Sequence, residues 1–275
     1  MKKYSRPHKY SYQLFTQEIS LKIWGNTEIE ILRYHFVILL QLYRMDGQIM
    51  SDNEPLFMEA NFIKCIVSTL EINSLSVDNN TTNVKNQIHK IRNLLLASPT
   101  YTLQNHVPIL DEIPICTCKK SNSYILTASS LFKMSPIKCG NCFDQIPLYK
   151  MIGLSQECKE SIFDWQKSYE CCDHLQMDGC VGKEWASEQM ADHKSELSVI
   201  GINLCNELFT VTGIPTFYYL FTYKQIGYEN ELFKTCPSCN QDWRLTDSSL
   251  LFYHFRCNDC KLISDLAGTD YEIIK

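Results

Sequence analysis

Three things are scarce in this sequence of 275 residues: long apolar runs, a surplus of positive charge, and the short motifs that announce an enzyme. The longest apolar stretches, Phe36 to Leu40 and Ile214 to Phe221, fall far short of the roughly 18 residues a membrane helix needs. Lys2 and Lys3 supply a basic start, but SRPHKYSYQLFTQE follows and never becomes a continuous apolar stretch. No secretory signal is expected from this start, and the cytoplasm is the expected location. Lys and Arg number 26 against 31 Asp and Glu, a net charge of -5, which argues against a large sequence-independent grip on phosphate. No phosphate loop, dinucleotide-binding glycine pattern, serine elbow or HExxH helix occurs. The chain therefore reads as a protein that binds and does not catalyse. It has no internal repeat and no low-complexity linker.

What the sequence has in abundance is cysteine, 14 of them, in a chain that is 45% hydrophobic. The apolar share is ample for a packed core in one large domain or two modest ones. A cytoplasmic chain keeps its thiols reduced, so metal binding explains such a count better than disulfides do. Cys236-Pro-Ser-Cys239 and Cys257-Asn-Asp-Cys260 are separated by 17 residues, the spacing of a zinc ribbon in which two tight knuckles each aim two sulfurs at one ion. Four protein ligands close the coordination sphere and leave no position for a reacting water. Cys116-Thr-Cys118 and Cys139-Gly-Asn-Cys142 are separated by 20 residues and make a second candidate site, with Gly140 free to take a sharp turn. Two filled sites would carry the net charge toward roughly -9, because four thiolates around one zinc leave about -2 each.

The remaining six cysteines fall singly or adjacent. Cys171, Cys172, His174 and Cys180, with Cys158 nearby, could suggest a third metal or a nucleophile, but on a helix Cys172 and His174 point to different sides. Packing as small hydrophobes is the preferred reading. In the ribbon, Trp243-Arg-Leu and Leu251 to Arg256 suit the strands of the intervening hairpin. Trp243, Arg244, Tyr253, His254 and Arg256 could form a stacking and basic face for single-stranded nucleic acid, or the aromatics could pack under so small a module. Lys119, Lys120, Lys133 and Lys138 add local positive charge at the central set, as partner contacts or as compensation for thiolates. From Lys234 to Lys275 five basic residues face six acidic ones, so the ribbon alone is a poor nucleic-acid binder.

Along the chain, residues 10 to 24 suggest a strand. Asn26 onward suggests a helix, capped through Thr27 and Glu30 and buried because apolar residues crowd it from Ile29 to Tyr43. Asp52 to Thr69 could form a second helix after Pro55, and Asn83 to Leu96 shows helical spacing. Ser155 can cap a helix bearing Ile162, Trp165, Tyr169 and Cys172. A further long helix runs from about Glu184 to Phe209, and Thr216 to Tyr223 is the strongest strand. The expected fold is α+β, with an N-terminal α+β region (1–110), a central four-cysteine module (111–150), a helical region ending in a strand (151–233) and a C-terminal ribbon (234–275).

Cys116-x-Cys118, Ser135-Pro-Ile-Lys-Cys-Gly-Asn-Cys-Phe143, Ile146-Pro-Leu-Tyr149, the segment from Trp165 to Met177, Thr212-Gly-Ile-Pro-Thr-Phe-Tyr-Tyr219 and the closing Cys-Pro-x-Cys ribbon follow one another in order. That series, from about Asp46 to Leu266, resembles a bacterial family of uncharacterised zinc-ribbon proteins for which nucleic-acid binding is the suggested role. The resemblance implies a zinc ribbon and a nucleic-acid partner, beside the two structural zinc ions that the cysteine spacing leads us to expect. The acidic balance points to the alternative, a protein partner such as a toxin neutralised by an immunity-type surface. No membrane partner and no small-molecule substrate are evident.

Overall fold

The computed structural model describes residues 12–25, 28–50, 53–95, 98–109, 114–131, 134–223, 228–245 and 253–266. The chain forms two compact units: the first holds residues 1–115, 132–135 and 144–152, and the second holds 116–131, 136–143 and 153–275.

In the first unit a long strand β1 (Tyr12–Lys22) leads to helix α1 (Ile29–Met45), then to the hairpin of β2 (Phe57–Glu59) and β3 (Phe62–Thr69), helix α2 (Thr82–Leu95) and strand β4 (Thr100–Ile109). The four strands form one antiparallel sheet in the order β2-β3-β1-β4, the split β-α-β arrangement. Its core joins Ile19 and Leu21 of β1, Leu32, Phe36, Leu39, Leu40 and Tyr43 of α1, Ile63, Cys65 and Val67 of β3, and Val84 and Ile91 of α2. Each such side chain contributes on the order of 1.5–3 kcal/mol by leaving water.

Two expectations change here. Residues 57–69 are a hairpin and not a helix. Phe62 to Thr69 alternates buried and half-exposed positions and is β-branched at Ile63, Ile66, Val67 and Thr69, which suits a pleated strand better than a helix. Ala60 turns the chain at φ 48°. Helix α1 is amphipathic, not buried all round: Ile29, Ile31, Tyr34 and Val37 are exposed. Glu28 precedes its first turn without a side-chain cap, and Asn26 and Thr27 lie outside the described residues.

The second unit carries a five-stranded mixed sheet in the order β6-β5-β7-β9-β8. Its strands are β5 (Tyr124–Leu126), β6 (Ile137–Cys139), β7 (Thr216–Tyr219), β8 (Phe255–Cys257) and β9 (Leu262–Ser264). The central pairs β5/β7 and β7/β9 are parallel, and each edge closes with an antiparallel partner. Between β6 and β7 come the helices α3 (Gln156–Asp178), α4 (Lys183–Ala191) and α5 (Glu196–Thr212), and after β7 the short α6 (Tyr228–Leu232). Ser155 caps α3 as the sequence implies, its hydroxyl accepting from the Cys158 amide at 3.1 Å. The expected helix from Glu184 to Phe209 is broken in two. Ser195 takes the break, accepting from the Ser198 amide at 3.1 Å while donating to the Gln189 carbonyl at 2.6 Å. Trp165 meets Tyr218 edge to face, with ring centroids 5.9 Å apart, and donates to the Leu197 carbonyl at 3.2 Å. No described helix is long and apolar enough to cross a membrane.

Candidate metal centres

Each of the two four-cysteine sets comes together as the spacing predicts. The sulfurs of Cys116, Cys118, Cys139 and Cys142 lie within 4.8 Å of one another, as do those of Cys236, Cys239, Cys257 and Cys260. Sulfurs about 2.3 Å from one zinc at tetrahedral angles stand about 3.8 Å apart. The 3.7 Å between the sulfurs of Cys239 and Cys257 matches that tetrahedron and is far beyond the ~2.05 Å of a disulfide. The donor chemistry, four thiolates and no carboxylate, suits zinc.

The knuckles owe their shape to a backbone feature that composition does not reveal. Phe143, Asn240 and Lys261 have φ of 63°, 58° and 55°, and each directly follows the second cysteine of a C-x-x-C pair. That left-handed residue reverses the chain: the Phe143 amide reaches the Cys139 carbonyl and the Asn240 amide the Cys236 carbonyl, both at 2.8 Å. The loop amides then face sulfur, Asn141 toward Cys139 and Cys260 toward Cys257, each at 3.4 Å. Such donors stabilise thiolate and orient it for a cation.

The central site has a further clamp. Asn141 donates to the Lys120 carbonyl at 3.1 Å and accepts from the Asn122 amide at 3.0 Å, tying the knuckle to the chain that leads into β5. Ser121 lies 3.1 Å from the Cys139 sulfur. Gly140 is required where it stands, because a Cβ there would lie 2.9 Å from the Ser123 carbonyl oxygen that its own amide binds at 2.7 Å. Sequence spacing finds the ligands and misses Ser121, Asn141 and Ser123; the polar run Ser121-Asn-Ser123 was the available signal.

Thiols held this close cannot all ionise without a cation. Burial pushes Cys116 up to about 11 and Cys260 up to about 12. At Cys139 burial also works upward, but the Ser121 hydroxyl and the Cys142 and Asn141 amides outweigh it and bring the thiol to about 7. A divalent ion removes the conflict by giving every thiolate the same partner.

The non-ligand residues are distributed unevenly. Trp243 is buried, stacked on Phe255 at 5.3 Å between centroids and donating to the Lys234 carbonyl at 3.0 Å. Tyr253 is buried between Phe143 and Tyr219, at 5.5 and 5.8 Å. Neither ring offers a face for a base, so the aromatics serve the fold in place of the stacking platform that was the other expectation. His254 is half-buried, and its Nδ1 has no hydrogen-bond partner among the described residues. Lys119, Lys120 and Arg244 are exposed. Arg256 is half-buried, its guanidinium 4.3 Å above the Phe217 ring. Trp243 and Leu245 do pair with the strand before Cys257, through Arg256 to Trp243 at 2.7 Å and Leu245 to His254 at 2.9 Å. Of the other cysteines, Cys65, Cys158, Cys172 and Cys205 are buried, whereas Cys171 and Cys180 are exposed and so do no packing.

Three families match parts of the chain, each described as a domain of unknown function: DUF8589 over residues 14–105, DUF2310 over 118–221 and DUF8594 over 227–269. An uncharacterised protein of Haemophilus influenzae is 37% identical over 143 residues, covering 52% of this chain and 70% of the relative. A second from the same organism is 36% identical over 143 residues, and the match spans only 55% of that protein. Among solved structures, a Caulobacter crescentus protein provisionally described as an antibiotic biosynthesis monooxygenase is similar at TM-score 0.28 and 10% identity, over 37% of this chain and 94% of that one. Another antibiotic biosynthesis monooxygenase reaches 0.27 and 16%, over 34% and 99%. Likenesses this weak bear on neither fold nor chemistry.

Proposed function

This chain belongs to the same uncharacterised bacterial family as its Haemophilus influenzae relative, and on that premise we propose that it is a non-enzymatic binding protein with two structural zinc ions. The observation that carries the reading is that eight cysteines form two closed four-sulfur sets. Each would fill a tetrahedral ion completely, which suits a staple and leaves no open position for a substrate or water. Thiolate sites need a compartment that keeps thiols reduced, so a cytoplasmic location goes with the proposal.

Nucleic acid is the first partner class. Exposed Lys119, Lys120 and Arg244 stand beside the two sulfur sets, and Arg256 is held over Phe217. Contact would run through phosphate, since the Trp243 and Tyr253 rings are occupied in packing. The second reading, a protein partner met by an acidic immunity-type surface, draws on the net charge of -5.

Metal analysis of the purified chain should return two zinc ions, falling to one in Cys116→Ser/Cys139→Ser and to one in Cys236→Ser/Cys257→Ser. One zinc in the parent chain would sink the central site. Fluorescence anisotropy with single-stranded RNA and DNA should then show affinity that falls steeply between roughly 50 and 200 mM salt. Absence of binding at the lower salt leaves the protein-partner reading in possession.

A further inference from the structure

A cleft of about 910 Å³ opens in the second unit beside α4, the end of β7 and the approach to the ribbon. Its volume falls within the range of roughly 300–1,000 Å³ typical of small-ligand sites. No cysteine of either sulfur set lines it, although it abuts the first ribbon knuckle at Pro237. We propose that this cleft binds an organic cation carried on an apolar stem.

The walls supply two kinds of chemistry. The lining includes the aromatic residues Phe221, Tyr223 and Phe233, beside Trp243 whose ring is packed on Phe255, and the acidic residues Glu188 and Asp192. The Phe221 and Tyr223 rings lie parallel within 8°, centroids 6.3 Å apart. Phe233 is 79% exposed, a large ring left in water at the edge of a concave site. Aromatic faces carry negative potential and attract ammonium or guanidinium groups, while the alkyl stem of such a ligand gains from apolar walls.

Charge selects the same class. The Glu188 carboxylate has no ion-pair partner among the described residues. Asp192 is only partly engaged: its Oδ1 accepts from the Lys194 amide at 2.9 Å and stands 3.5 Å from His193 Nδ1. Among the described residues of the lining the lysine is Lys234, and it is already committed. Its ammonium lies 3.7 Å from the buried Glu231 carboxylate and 5.7 Å from the centre of the Phe255 ring. Among the described residues, two acidic side chains against one neutralised lysine repel phosphate and favour a cation.

The ligand's chemistry has two possible sources, a free amine and the arginine or lysine side chain of a protein. Calorimetric titration of the zinc-loaded chain with agmatine, a guanidinium on a butyl stem, and with N-acetyl-arginine amide separates them. Saturable binding of either supports the site: tighter agmatine points to a free amine, and tighter arginine amide to a side chain. Glu188→Gln and Phe233→Ala, both at exposed positions, should each weaken the tighter ligand about tenfold with zinc content and melting temperature unchanged. No saturable binding of either probe at about 5 mM, parent affinity in both variants, or adenosine monophosphate binding more tightly than both probes would overturn the proposal. Zinc content is read in the same samples, so failure of this site is distinct from failure of the structural-zinc reading.

Discussion

Asp265 is a carboxylate under aromatic cover: the Tyr219 hydroxyl donates to it at 2.9 Å, and burial raises it to about 6. A carboxyl raised in the fold binds its proton more tightly folded than unfolded. Its favourable contribution is therefore complete below the unfolded value near 4 and is lost as pH rises through about 6. Asp265→Asn should flatten the stability profile between about pH 4 and 7 and make the chain more stable at neutral pH by about 2–3 kcal/mol, read as the urea midpoint. Gly201 shows the opposite sensitivity. A Cβ there would lie 2.2 Å from Tyr218 Cε2 and 2.8 Å from Trp165 Nε1. Alanine is the better helix former, yet Gly201→Ala should cost about 1–3 kcal/mol because the rings must shift. The sequence makes the eight ligands legible at this scale, since a thiolate pair two or three residues apart needs only local backbone to converge. It does not make the Asn141 clamp legible, because an asparagine in a knuckle looks like any turn residue.

Strands β6 and β8 are three residues long, and each runs directly into a knuckle, at Cys139 and at Cys257. Strands this short at a sheet edge hold little by pairing alone. Chelation should therefore raise hydrogen exchange first at Ile137–Cys139 and Phe255–Cys257 and later in the central strand β7, followed by mass spectrometry. Simultaneous loss across the sheet would contradict the edge-staple role. Helices α4 and α5 depend instead on the break at Ser195, whose hydroxyl serves both sides. Ser195→Ala should cost about 1 kcal/mol in chemical denaturation. Together the two helices occupy the stretch that periodicity read as one long helix, α5 running on to Thr212. The interruption at Asp192-His-Lys-Ser195 was written in capping chemistry that apolar spacing does not register. The 57–69 hairpin was obscured for a related reason: its strand alternation is real, but a preceding proline and a mixed apolar run read equally well as the start of a helix.

For the molecule, all eight cysteines of the two four-sulfur sets belong to the second unit, and the first has its own core. Of the four tryptophans, Trp24 is in the first unit, whereas Trp165, Trp185 and Trp243 are in the second. In a Trp24→Phe variant, fluorescence reports the second unit alone. Chelation should lower the thermal transition seen by fluorescence by several degrees or more, while far-UV circular dichroism retains the signal of the first unit to higher temperature. A single coincident transition with and without metal would contradict this.

The sequence by itself determined that there are two four-thiolate sites, the α+β class and several of the helices, because ligand spacing and helical periodicity are written within a few tens of residues. Only the tertiary structure decided that the central cysteine segment and the ribbon, which looked like separate modules, contribute the two edges of one sheet. It also decided that Trp243 and Tyr253 are spent on packing and that aromatics and carboxylates from α4, the end of β7 and the ribbon approach line one cleft. Those outcomes depend on pairing between segments distant in the chain, such as β5 with β7, where Tyr124 meets Thr216, and β7 with β9, where Tyr218 meets Leu262. Burial of a side chain is set by the partner it meets, and no local pattern names that partner.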